Sequence, residues 1–187
     1  MASTRVIACF GDSLTEGFGL RSAQALPAVL ENELLQQGHQ VRCVNMGVSG
    51  DTSGDGRRRL KKVLKAKPCV CVVAFGTNDF FVGAAPGELE ENLSAILDGL
   101  AACRIQPVLA GAGCLAEFGE EYKREFDAVF PLVAARYQAP LLPDLLGTYL
   151  RDPAKTLIDQ LHPNEHGVRS MVRALAPVVV EALRKLD

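Results

Sequence analysis

"RVIACFGDSLTEG", residues 5–17, decides how the rest of the chain is read. An apolar run from Val6 to Phe10 leads directly into Gly11, Asp12 and Ser13. More small and polar residues follow, and then an amphipathic stretch. A run that is apolar at successive positions, rather than at every second one, suits a strand buried on both faces. Such a strand ending on an acid and a hydroxyl leaves two readings of Ser13: a helix cap or a nucleophile.

Working outward, similar runs recur at 41–45, 70–75, 106–110 and 140–143, after the first at 5–10. Helix-like periodicity lies between them, near 25–37, 53–66, 87–103 and 120–137, and a last helix spans about 165–186. Pro27 and Pro86 suit first helical turns, and Gly38 suits a helix stop. Thr52 or Ser53 is available to cap the helix at 53–66. Pro177 predicts a kink or break in the last helix. Apolar strands alternating with helices imply an α/β fold, a three-layer α/β/α sandwich with a five-stranded parallel sheet, expected as a single domain over 1–187. Ligands in such folds bind beyond the carboxyl ends of the strands.

Composition narrows the function. The 187 residues are 48% hydrophobic and 22% charged with a net charge of −2, which suits a globular core and argues against nucleic acid or an anionic membrane as the main partner. The basic cluster from Arg57, Arg58 and Arg59 through Lys61, Lys62, Lys65 and Lys67 reads as a solvated helix face rather than a phosphate site. No segment approaches the ~20 apolar residues of a membrane span, and Val6–Phe10 is too short for a signal-peptide core. The chain is therefore expected to be cytosolic, or a mature form that has lost a leader. The six cysteines form no Cys-x-x-Cys pair and read as buried reduced thiols.

Three strand ends carry small or polar residues: Gly11-Asp12-Ser13, then Gly47 within Asn45 to Thr52, then Gly76-Thr77-Asn78-Asp79. A parallel sheet delivers all three to one rim. A serine needs a base to act as a nucleophile at neutral pH. Of the three histidines, His39 sits in a helix-to-strand turn at the opposite end of the sheet. His166 reads as part of a helical first turn. His162 follows Asp159 by three residues in a loop, a spacing at which a carboxylate can hold Nδ1 and leave Nε2 facing a hydroxyl.

These blocks, Gly11-Asp12-Ser13-Leu14, Gly47 in Asn-Met-Gly-Val-Ser-Gly-Asp-Thr, Asn78 in Gly-Thr-Asn-Asp, and Asp159-x-x-His162-Pro-Asn, resemble the four blocks of the SGNH (GDSL) hydrolases. The resemblance runs from about residue 5 to the end and is strongest to the bacterial thioesterase I, arylesterase and lysophospholipase branch. Thr77 stands where a second glycine is common. The resemblance implies a flavodoxin-like strand order 2-1-3-4-5 and Ser13, Asp159 and His162 as a triad. It also implies oxyanion donors from the Ser13 amide, the Gly47 amide and the Asn78 side chain.

The expected chemistry is hydrolysis of carboxylic esters or thioesters through an acyl-enzyme. The same triad would also serve an acyltransferase or a carbohydrate O-deacetylase, and a non-catalytic flavodoxin-like module is the reading from another class. Leu14, Phe18, Phe80, Phe81 and Val82 beside the blocks, and Leu115 in the glycine-rich stretch 111–119, are the candidates for an acyl or aryl groove; Phe80 and Phe81 serve equally as loop anchors. No cofactor is expected. No metal is implied, since His162, His166, Asp159 and Glu165 lack a further ligand to complete a zinc site. The partner expected is a small acyl ester or thioester, acting on a monomer.

Overall fold

The computed structural model describes residues 4–186. Of the domain expected over 1–187, residues 1–3 and 187 lie outside the described residues. Five strands, β1 (Arg5–Gly11), β2 (Val41–Gly47), β3 (Val70–Ala74), β4 (Gln106–Ala110) and β5 (Leu141–Leu142), form one parallel sheet in the order β2-β1-β3-β4-β5. The layered parallel fold is the one the sequence pattern predicts, and the strand order is the one the family resemblance implies.

β1 is central because it is apolar on both faces: Ile7, Ala8, Cys9 and Phe10 are all fully buried. β3 is likewise buried along its whole length. β2 lies at the edge, and its partial exposure accommodates Arg42 and Asn45. Helix α1 (Ser13–Glu16) follows β1, α2 (Leu26–Gln36) follows it in turn, and α3 (Ser53–Ala66) joins β2 to β3. Beyond β3 come α4 (Thr77–Phe81), α5 (Pro86–Ala102), α6 (Glu120–Tyr137) and α7 (Glu165–Arg184). α2 packs on α7, while α3 packs on α5 and α5 on α6, so the sheet is covered from both sides.

The chain moves from β1 outward to β2, then returns past β1 to β3. Right-handed crossovers in opposite directions place α2 and α3 on opposite faces. The carboxyl ends of β1 and β3 therefore flank a crevice where the winding reverses, the usual ligand position in such sheets.

The short helices α1 and α4, directly after β1 and β3, were not predicted, since each is under two turns. α7 runs through Pro177 as one helix, so of the kink or break expected there, the break does not occur. Its buried face of Val172, Leu175, Ala176, Val179 and Val180 holds the helix on the sheet and outweighs the missing backbone donor. The six cysteines are free thiols, with Cys9, Cys71 and Cys114 buried. Burial alone pushes the Cys71 thiol well up, which makes it inert. Among the described residues, no helix is long and apolar enough to cross a membrane.

Candidate active site

Asp12, rather than Ser13, is the helix cap. Its side chain accepts the Leu14 amide at 2.9 Å, and Ser13 is the first residue of α1. Gly17 closes the turn at φ +92°, donating its amide to the Ser13 carbonyl at 3.0 Å. The four-residue turn thus holds the Ser13 hydroxyl at the sheet's rim. Asp12 itself is almost fully buried. Desolvation pushes its carboxyl up to about 7, partly opposed by the Leu14 amide and reinforced by Asp79 and Asp51.

The loop before α7 brings the other end of the chain to Ser13. His162 Nε2 lies 3.0 Å from Ser13 Oγ, and Nδ1 lies 2.7 Å from Asp159 Oδ2. The second oxygen of Asp159 accepts the amides of Leu161 and His162, each at 3.0 Å. Desolvation raises the Asp159 carboxyl, but these amides and the His162 ring together prevail and hold it below the usual range. An ionised carboxylate only accepts, so Nδ1 carries the ring hydrogen and Nε2 presents its lone pair to the hydroxyl.

The loop is tied down at both ends. Leu157 donates to the His162 carbonyl at 2.8 Å, and the buried Tyr149 hydroxyl donates to the Leu161 carbonyl at 2.9 Å. Asn164 caps α7 by accepting the His166 and Gly167 amides, and its own amide bridges the carbonyls of Ala154 and Thr156. Phe18 lies against the His162 ring, with centroids 4.4 Å apart. His166 is in the first turn of α7, and His39 lies in the turn before β2, at the amino end of the strands.

The Asn78 side chain, on α4, donates to the Asp51 carbonyl at 2.8 Å and faces Asp12 Oδ2 at 3.4 Å. Its neighbour Asp79 points the other way and accepts the Ser53 amide at 2.9 Å, which joins α4 to the start of α3. Gly47, whose amide the family resemblance implies as an oxyanion donor, has that amide engaged elsewhere. Its amide donates to Asn45 Oδ1 at 2.9 Å, within its own strand end. A Cβ there would collide with the Glu16 backbone nitrogen and sit 2.8 Å from the Asp12 carbonyl oxygen. Glycine at 47 is therefore required for α1 to pack on β2.

Gly50 instead lines the cavity, with Ser13, Leu14, Phe18, Ser49, Asn78, Phe81 and His162 among its neighbours. It sits at φ +84° in a turn closed by the Asp51 amide on the Val48 carbonyl at 3.2 Å, a conformation that favours glycine. The Glu16 carboxylate anchors this turn by accepting the Ser49 amide at 2.8 Å and the Ser49 hydroxyl. Among the described residues the amides of Ser13 and Gly50 have no hydrogen-bond partner.

The cavity holds about 230 Å³. Leu14 and Phe81 line it as expected, but Phe80, Val82 and Leu115 do not. Phe80 is fully buried among Phe81, Phe118 and Phe126, so it anchors its loop. Val82 projects into solvent. Leu115 lines a separate cleft with Lys123, Asp144 and Arg151. Phe18 lines it as expected too, whereas Ser49, Gly50, Thr77 and Leu161 were missed as lining residues. A signal for Gly50 existed in Ser-Gly-Asp, since a glycine between polar residues marks a positive-φ turn.

A family model described as GDSL-like Lipase/Acylhydrolase matches residues 9–169. Thioesterase 1/protease 1/lysophospholipase L1 of Escherichia coli strain K12 is 34% identical over 164 residues, covering 87% of this chain and 77% of that protein. The crystal structure of TesA superposes with a TM-score of 0.90 at 28% identity, over 95% of this chain and 99% of that one. The structure of AlinE4, an SGNH-hydrolase family esterase, does so with a TM-score of 0.82 at 39% identity, over 98% of both chains.

Proposed function

The chain belongs to the GDSL-like lipase and acylhydrolase family and is a carboxylic ester hydrolase of the thioesterase and arylesterase type; from that premise we propose that Ser13, His162 and Asp159 carry the reaction through an acyl-enzyme. The observation that carries this reading is the continuous line from the Asp159 carboxylate through His162 to the Ser13 hydroxyl, at 2.7 and 3.0 Å. Ser13 Oγ attacks the acyl carbonyl carbon as its proton passes to His162 Nε2. The carbonyl π-pair moves to oxygen, where preorganised donors stabilise the charge. The Ser13 amide, the Gly50 amide and the Asn78 carboxamide are the donors we assign, with Gly50 replacing Gly47. Collapse of the tetrahedral intermediate expels the alcohol or thiol, which takes the proton from Nε2. Water then attacks the acyl-enzyme by the same relay and releases the acid.

The cavity beside Ser13 is small for a ligand site and walled by Leu14, Phe18, Phe81 and Leu161. These dimensions favour acetyl, butyryl and hexanoyl esters over palmitoyl ones. An organophosphonate should label the wild-type chain at one equivalent, on Ser13, with parallel loss of p-nitrophenyl butyrate hydrolysis. Ser13→Ala should take no label and fall to background. Substantial hydrolysis remaining in Ser13→Ala would point to another nucleophile and defeat the assignment.

A further inference from the structure

Arg59 departs from the other basic residues of α3. Arg57 pairs with Glu91 at 2.9 Å and Arg58 with Asp55, both at the surface, and Lys61, Lys62, Lys65 and Lys67 are exposed. Arg59 turns inward, with 15% of its side chain exposed. Its guanidinium lies 4.5 Å from the centroid of the Phe10 ring and 5.7 Å from that of Phe75. Every nitrogen has a separate acceptor. Nη2 donates to the Gly11 carbonyl at 2.8 Å, Nη1 to the Met46 carbonyl at 2.8 Å, and Nε to the Asp51 carboxylate.

Those acceptors lie on two segments, the end of β1 and the stretch from Met46 to Asp51, that converge on the reacting centre. The Gly11 carbonyl belongs to the peptide that enters Asp12 and Ser13. The Met46 carbonyl belongs to the peptide that enters Gly47 and the turn carrying Gly50. Asp51 follows Gly50, and its main-chain carbonyl receives Asn78. The Gly11 carbonyl also accepts the Val48 amide at 3.0 Å, which joins the two segments directly.

We propose that Arg59 is a positioning residue for the oxyanion donors, a rigid fork that fixes the segments bearing Ser13, Gly50 and Asn78 relative to one another. A planar guanidinium delivers donors in three fixed directions, whereas an ammonium concentrates its donors on one nitrogen and cannot span three separated acceptors. Arg59 does not line the cavity, so it acts only through the donor geometry. Donor placement matters most when the carbonyl oxygen becomes an oxyanion, so its loss is felt in turnover rather than in substrate binding.

The inference rests on the acyl-enzyme reading, and its test separates the two. Arg59→Lys and Arg59→Met are compared with Arg58→Gln, a surface control, on p-nitrophenyl butyrate. Both Arg59 variants should lose about tenfold to a hundredfold in kcat. KM should stay within about threefold. Arg58→Gln should match the wild type. In the Asn78→Ala background the further loss from Arg59→Lys should shrink, because both changes damage one set of donors.

Wild-type kcat in folded Arg59→Lys, a loss confined to KM, or an equal loss with and without Asn78 would overturn the inference. If Arg59→Met fails to fold, Arg59→Lys, which keeps charge and volume, decides alone. Organophosphonate labelling distinguishes the two failures. An unlabelled wild type defeats the acyl-enzyme reading itself, whereas wild-type labelling kinetics in Arg59→Lys defeat only the role of Arg59.

Discussion

Thr15 and Asp12, two residues of one short turn, show how closely the polar and apolar demands of the site are set against each other. Thr15 lies two residues after Ser13 in α1, buried, and its hydroxyl has no hydrogen-bond partner among the described residues. A buried hydroxyl without a partner carries a desolvation cost of about 1–3 kcal/mol. Thr15→Val keeps the shape and removes that group. It should raise Tm by about 2–4 °C for each kcal/mol regained in a chain of this size, read by calorimetry. Unchanged or lowered Tm would show that the hydroxyl is satisfied in solution. Asp12, by contrast, is buried with partners: it caps α1 and faces Asn78, so its polarity is used for local structure.

At the scale of elements, the loop from 153 to 164 determines whether the site assembles. It carries His162 and Asp159, yet it contains no strand or α-helix and is held by the Asn164 amide across its own ends and by Tyr149. The Tyr149 hydroxyl is the contact that reaches the loop from the core, one residue before His162. Tyr149→Phe preserves the packing and leaves the Leu161 carbonyl without its donor. The expected outcome is a stability loss of about 1 kcal/mol and a several-fold fall in kcat with the fold intact. Both are measurable by calorimetry and steady-state kinetics. Wild-type turnover in Tyr149→Phe would mean that Asp159 and the cap at Asn164 hold the loop unaided.

At the scale of the whole molecule, burying Asp12 couples the site to stability through pH. Desolvation raises its carboxyl from an ordinary 3.8 to about 7 in the folded chain. Between those values the folded state binds a proton that the unfolded state releases. The contribution is therefore full below 3.8 and is lost as pH rises through about 7. Asp12→Asn mimics the neutral acid and keeps a capping side chain. Relative to the wild type, it should gain stability progressively between pH 4 and 7 and hold an advantage of a few kcal/mol above that range. Parallel urea titrations across pH check this; a constant difference between the two proteins would contradict it. Asp159 acts in the opposite sense, since a lowered carboxyl loses its contribution as pH falls. The Asp12→Asn comparison isolates the first effect because Asp159 is common to both chains.

The sequence by itself determined the layered fold, because buried parallel strands must be apolar at successive positions and the helices between them carry their own periodicity and stop signals. It also determined which residues can do chemistry, since a hydroxyl, an imidazole and a carboxylate are scarce types that stand out at strand ends and in a Pro-Asn loop. Tertiary structure decided the roles that depend on direction. Gly47 and Gly50 are three residues apart and equally small, but only the folded turn engages one amide with Asn45 and leaves the other at the cavity. Phe80 and Phe81 are adjacent, yet α4 buries one and presents the other to the cavity. Arg59 reads as one more charge on a basic face, and Pro177 as a helix breaker. For Phe80, Arg59 and Pro177 the outcome depended on contacts with residues far along the chain, and such contacts leave no local pattern to read.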